Sequence, residues 1–284
     1  LSTDENSSMN VTQPRSTKQI MIYCQHLWGI GHLMRTAAIA RALSHHWVHL
    51  VLGGGIPGRV LGSTPFTVHR LIPLTCDREV THLVPLRPGQ SLESIQQKRR
   101  KKLLTLLDEV APEVVVVEMF PFGRPWFRFE LVPMLEVLRR ERIPVFCAVR
   151  DVLVHKNDPA AYARQVCEDL DRYFYAVLVH SDPRLIRLEE TFPAAEHIPV
   201  PLYYTGYVDG TNPTSHSYRN MDDTRKKTPS QRLSGRGLIA WTGSGALGVA
   251  VVEAVLRAAQ QGLLSEMGTV RDNTGPNIES GSRS

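Results

Sequence analysis

The 284-residue sequence has little of what marks several protein classes. It holds only four cysteines, Cys24, Cys76, Cys147 and Cys167, and no two stand at C-x-x-C spacing. That excludes a disulfide-knit scaffold and argues against a zinc site; buried, reduced thiols are expected. No apolar run approaches the ~20 residues that a bilayer-spanning helix needs, and stretches such as Glu113 to Phe120 are far shorter. Leu1 to Gln19 lacks the apolar segment of a secretory signal, so a cytoplasmic location is expected and the Asn10-Val11-Thr12 sequon is read as chance. Aromatic residues make up 7%, and none interleave with basic residues as a nucleic-acid platform would require. The charge excess is also small, a net +5, which suits an anionic ligand or surface without demanding one. What remains is an ordinary globular composition, 42% hydrophobic and 21% charged. The length allows one large domain or two smaller ones.

Along the chain, short apolar runs alternate with helical patterns. Strands are expected at Ile20–Cys24, Trp47–Leu52, Thr67–Leu71, Val114–Val117, Val145–Val149 and Ala176–Val179. Helices are expected at His32–Ser44, Ser91–Val110 and Phe127–Arg142, the last tolerating Pro133. Asp158-Pro159 and Asp182-Pro183 each offer an N-cap acid followed by proline, opening helices to about Tyr173 and about Thr191. This alternation predicts an α/β fold with a doubly wound parallel sheet. Residues 1–18 read as a disordered tail, 19–208 as a Rossmann-like domain and 209–237 as a polar linker. Residues 238–262 read as a single further β-α unit, Leu238–Trp241 followed by a helix at Val249–Gln260, and 263–284 as a second disordered tail.

In open α/β sheets, ligands bind outside the carboxyl ends of the strands. Polar residues gather at those ends here. His32 follows Gly29-Ile30-Gly31 at a helix start, where glycines let a ligand approach and a histidine is placed for proton transfer. A tight turn with a capping histidine is the alternative. Glu118 ends a strand and is either a base or an ion-pair partner of Arg124 or Arg150. Arg150-Asp151 ends the next strand, and His180-Ser181-Asp182 the one after; His26 is a weaker candidate. Gly243-Ser244-Gly245-Ala246-Leu247-Gly248 fits G-x-G-x-x-G, but the second strand and acid that a nicotinamide site needs are not evident after it. A phosphate-binding turn remains. The basic run Lys98-Arg99-Arg100-Lys101-Lys102 reads mainly as a solvated helix face, with contact to an anionic membrane surface as the functional alternative. Nothing in the sequence requires a metal or a resident cofactor.

Taken together, Gly29-Ile30-Gly31-His32-Leu33 with Arg35 resembles the glycine-rich loop that opens GT-B glycosyltransferases. Residues 19–208 resemble a bacterial group of such enzymes distantly related to family 28, which includes the N-acetylglucosaminyl transferase of peptidoglycan synthesis. The markers are Glu118-Met119-Phe120-Pro121-Phe122-Gly123-Arg124, Arg150-Asp151, His180-Ser181-Asp182-Pro183 and Tyr204-Thr205-Gly206-Tyr207-Val208. The resemblance implies two Rossmann-like domains, the first handling an acceptor and the second a nucleotide-diphosphate sugar, with hexosyl transfer to an acceptor hydroxyl. It implies His32 and then Glu118 as candidate bases. Gly29, Gly31, Arg35, Arg124, Arg150 and Asp151 would bind substrate, and Gly243, Ser244 and Gly245 the donor diphosphate. Most of the donor domain has no counterpart after Gly262, so an incomplete enzyme is expected. The alternatives are a nucleotide-sugar 2-epimerase of the same fold and a non-catalytic acceptor-binding remnant.

Overall fold

The computed structural model describes residues 17–27, 30–54, 61–77, 82–150, 152–153 and 156–208, together with 237–241, 257–258, 261 and 269–273. The element order is β1 (Gln19–Cys24), α1 (Gly31–Ala42), β2 (Trp47–Leu52), β3 (Thr67–Arg70), β4 (Leu74–Cys76), β5 (Leu83–Pro85), α2 (Leu92–Val110) and β6 (Val114–Glu118). Then come α3 (Arg128–Arg140), β7 (Val145–Arg150), α4 (Pro159–Tyr173), β8 (Ala176–His180), β9 (Leu202–Tyr204), β10 (Gly237–Trp241) and β11 (Thr269–Asn273).

Seven strands form one sheet in the order β3-β2-β1-β6-β7-β8-β9, and every neighbouring pair is parallel. The chain builds outward from β1 to β3, then returns past β1 and builds outward on the other side. That reversal opens a crevice at the carboxyl ends of β1 and β6, the expected ligand position in such sheets. Both faces of the sheet are covered, and its inner strands β1, β6, β7 and β8 are mainly apolar and buried, whereas the edge strand β3 is more polar and has no buried residue. Met21 and Tyr23 of β1 pack with α2 and α3 on one side, while Ile20, Ile22 and Cys24 join Leu33, Ala37 and Ala40 of α1 on the other.

The helix starts follow local chemistry. Ser91 Oγ accepts from the Ser94 N–H at the head of α2, and the Asp158 carboxylate accepts from the Ala161 N–H at the head of α4, with Pro159 in the first position. Asp182-Pro183 behaves differently. No α-helix follows it; the chain makes one turn and then two short 3-10 segments, Leu188–Glu190 and Pro193–His197. Asp182 is engaged by the backbone and guanidinium of Arg184, and the Leu188 N–H donates to the Tyr204 hydroxyl at 2.9 Å. The Arg187 N–H donates to the Glu190 side chain at 2.8 Å. The donors that would extend a helix are satisfied elsewhere.

Four strands were not expected: the β4–β5 antiparallel hairpin, β9 and β11. β11 lies within residues 263–284, read from sequence as a tail, and pairs in parallel with β10. It also supplies the second strand, carrying Asp272, whose apparent lack disfavoured a nicotinamide reading of the glycine run before it. The Gly243–Gly248 loop and the Val249–Gln260 helix fall almost wholly outside the described residues, as do most of residues 1–18 and 209–237. No described helix is long and apolar enough to cross a membrane.

Candidate functional site

The crevice brings together residues from two distant stretches of chain. Gln25 and His26 follow the end of β1, and α1 begins beyond them with Gly31 and His32 in its first turn and no acid there. Glu118 ends β6, the strand beside β1, and is 1% exposed. His32 Nδ1 stands 2.7 Å from Glu118 Oε1, and Arg35 Nη2 donates a short hydrogen bond to the same oxygen. A carboxylate only accepts, so His32 carries its proton on Nδ1 and, when neutral, presents a lone pair on Nε2. Burial pushes the Glu118 carboxyl upward, but the hydrogen bond from His32 and the charges of Arg35 and Arg124 outweigh it, and the group lies below its ordinary range.

Arg124 reaches back across the crevice, where its Nε donates to the Gln25 carbonyl at 2.9 Å. It sits at φ 64°, in the left-handed region, which turns the chain sharply after β6. His26 is 1% exposed and held neutral, its pKa lowered to about 4 by burial and then by the Arg124 charge. His180, at the end of β8, is also lowered to about 4, by burial and then by Arg35. Its Nδ1 lies 2.7 Å from Thr205 Oγ1.

Among the described residues, five buried side-chain polar atoms lack a hydrogen-bond partner: both nitrogens of His26, Nε of Arg35, Oε2 of Glu118 and Nε2 of His180. All belong to this one edge of the sheet. A buried unsatisfied polar atom costs about 1–3 kcal/mol, and such costs concentrate where a fold is built to meet a ligand.

A fully buried network supports the edge from behind. Arg99 and Glu130 are each 0% exposed. Arg99 donates to Glu130 through Nε and Nη2, to the Gly53 and Ile72 carbonyls through Nη1, and to Gln25 Oε1 through Nη2. The Tyr23 hydroxyl donates to the same Glu130 at 2.6 Å. One guanidinium therefore ties the ends of β1, β2 and β3 to α3. This corrects the reading of the Lys98–Lys102 run as a uniform solvated face: Lys98, Arg100, Lys101 and Lys102 are exposed, and Arg99 is core. The signal was present, because Arg99 falls in register with Ile95, Leu103, Leu106 and Val110, all buried on one side of α2.

Of the residues expected at the site, His32, Arg35, Glu118 and Arg124 are brought together. Arg150 stands exposed at the end of β7, opposite His180 in register. Gly31 is exposed, and a Cβ there would meet nothing within 4 Å, so the helix start is open in front. Gly29, Asp151, Gly243, Ser244 and Gly245 lie outside the described residues. Sequence reasoning missed Gln25, Arg99 and Glu130, and it missed the tight packing of Gly54 on the His26 ring. Among the described residues, no group of three or more histidines, cysteines or acids is placed to hold a metal ion.

No family model and no curated protein matches the sequence. Solved structures do match. The calicheamicin glycosyltransferase CalG4 aligns over 93% of this chain and 68% of its own, at 13% identity and a TM-score of 0.50. The fold is GT-B. Other GT-B structures align over similar spans: UGT89C1 of Arabidopsis thaliana, complexed with UDP-L-rhamnose, at 12% identity over 93% of this chain and 68% of its own, with a TM-score of 0.49; and MurG of Acinetobacter baumannii, at 16% identity over 94% and 70%, with a TM-score of 0.45. In this GT-B chain, the seven-stranded sheet carries the His32–Glu118 pair at its carboxyl edge.

Proposed function

We propose that the protein takes part in glycosyl transfer, moving a hexosyl group from a nucleotide-diphosphate sugar to an acceptor hydroxyl. The observation that carries this is the 2.7 Å contact between His32 Nδ1 and Glu118 Oε1 at the crevice of a GT-B fold. The pairing orients the ring and leaves Nε2 as the proton acceptor. As the acceptor oxygen bonds to the anomeric carbon, its proton passes to His32 Nε2. The bond from that carbon to the diphosphate breaks, and its electron pair leaves with the diphosphate. Glu118 then balances the imidazolium. Arg35, Arg124, Arg150 and Asp151, with the backbone at Gly29 and Gly31, would orient the acceptor. The amides of Gly243, Ser244 and Gly245 would receive the departing diphosphate. Lys98, Arg100, Lys101 and Lys102 would make a peripheral contact with an anionic membrane surface.

The assay is release of free nucleoside diphosphate from a panel of nucleotide hexoses, with and without hydroxyl acceptors. It is run on the 284-residue chain. Release that needs both acceptor and His32 supports the reading. Sugar interconversion without acceptor, or full turnover after His32→Ala, overturns it.

A further inference from the structure

His32 and Arg35 share one oxygen. Glu118 Oε1 accepts from both, Oε2 has no partner, and Arg35 Nη2 also stands 3.3 Å from His32 Nδ1. A lone buried carboxylate beside a histidine favours the imidazolium, because the opposite charge stabilises it. An imidazolium has no lone pair and cannot take a proton from a hydroxyl. A guanidinium on the same oxygen works the other way. It keeps Glu118 ionised and places a fixed positive charge against the ring, where a second positive charge is then opposed.

We propose that Arg35 is a positioning residue that holds His32 in its neutral, Nδ1-protonated form, leaving Nε2 free as the base. The inference rests on the reading of His32 as proton acceptor. Arg35 follows His32 by three residues on α1, so the two side chains lie on one helix face, and it is half-buried at 18% exposure. The other groups around the ring are His26 from the loop after β1, Glu118 from β6 and Arg124 from the loop after β6, with His180 of β8 beyond Arg35. His26 and His180 are held neutral by burial and contribute no charge. Arg124 is directed by its Nε to the Gln25 carbonyl. Arg35 is the described cation in contact with both members of the pair.

The test is imidazole nitrogen NMR on the 15N-labelled 284-residue chain at pH 7, with the His32 ring assigned by its loss in His32→Gln. The wild-type ring is expected as the neutral Nδ1–H tautomer. In Arg35→Met, the ring at pH 7 should move toward the doubly protonated form. Arg35→Lys, which keeps the charge, should restore the wild-type pattern. Arg35→Gln keeps a hydrogen bond to Glu118 without the charge and gives the same reading if the methionine variant fails to fold. A His32 ring that stays wild-type in the uncharged variants overturns the proposal, as does a wild-type ring already doubly protonated at pH 7. Neither donor nor acceptor is needed, so a negative result removes the role of Arg35 and leaves glycosyl transfer to its own assay.

Discussion

Arg99 and Glu130, 31 residues apart and both without solvent exposure, face each other through two hydrogen bonds of 2.9 and 2.5 Å. Breaking a buried pair by removing one partner leaves an uncompensated charge in the core and costs about 3–5 kcal/mol. Glu130→Ala and Arg99→Ala should each lower stability by that order in urea denaturation. The paired replacement Arg99→Met with Glu130→Leu should cost less than either single change, because no charge is left alone. A double change as damaging as the sum of the singles would show that the two residues act independently.

Gly54 has a second, steric role at the same edge. A Cβ there would fall 2.1 Å from the His26 carbonyl oxygen and 2.4 Å from its ring. The backbone oxygen cannot swing aside as a flexible side chain can. Gly54→Ala should therefore destabilise the protein by about 1–3 kcal/mol and displace the His26 ring, seen as a shift of its imidazole signals. Gly31→Ala, with nothing within 4 Å, should leave stability close to wild type.

The neutral histidines make stability depend on pH. The pKa values of His26 and His180 are lowered from 6.5 to about 4 in the folded protein, chiefly by burial. Between those limits the unfolded chain binds more protons than the folded one, so stability falls as pH falls from about 6.5 to about 4. The loss is on the order of 3 kcal/mol for each ring at the lower end. Urea midpoints at pH 7 and pH 4.5 measure it. His180→Asn should flatten part of this slope, and an unchanged slope would mean that His180 is not the source.

At the crevice, Glu118→Gln keeps a hydrogen-bonding group beside His32 but removes the charge that, in the proposed transfer, would balance the ring once it has taken the acceptor's proton. In a turnover assay the rate should fall by about 10²-fold or more, and His32→Ala should fall by about 10²–10⁴-fold. A double variant no worse than His32→Ala alone is expected, because the two residues act as a unit. Additive losses would place Glu118 in a separate role.

The alternation of strands and helices was legible because each core strand is short, apolar and buried on both faces, as with Val115 and Val117. The crevice was legible by position, since parallel strands put His32 and Glu118 at one edge. Three kinds of feature were hidden. Arg99 sits inside a run of like charges, and only its register with the apolar stripe of α2 separates it from its neighbours. The expected helix after Asp182-Pro183 carries correct start signals but is undone by Tyr204, which takes the Leu188 N–H from sixteen residues away. The short strands β4, β5 and β9 have three residues each, too few for a periodic signal.

The return of the chain past β1 has a consequence for how the molecule comes into being. β1 finds β2 after a short crossover, but its other edge stays unpaired until Val114–Val117 has been synthesised. His32 and Glu118 are 86 residues apart, so a nascent chain can present the histidine, its helix and the first three strands with no acid to hold the ring. The crevice is complete only once β6 has paired with the open side of β1 and brought Glu118 with it. Long-range pairing of this kind is slow relative to local structure. Until it happens, the open edge of β1 is the point at which the folding chain is most exposed to wrong partners.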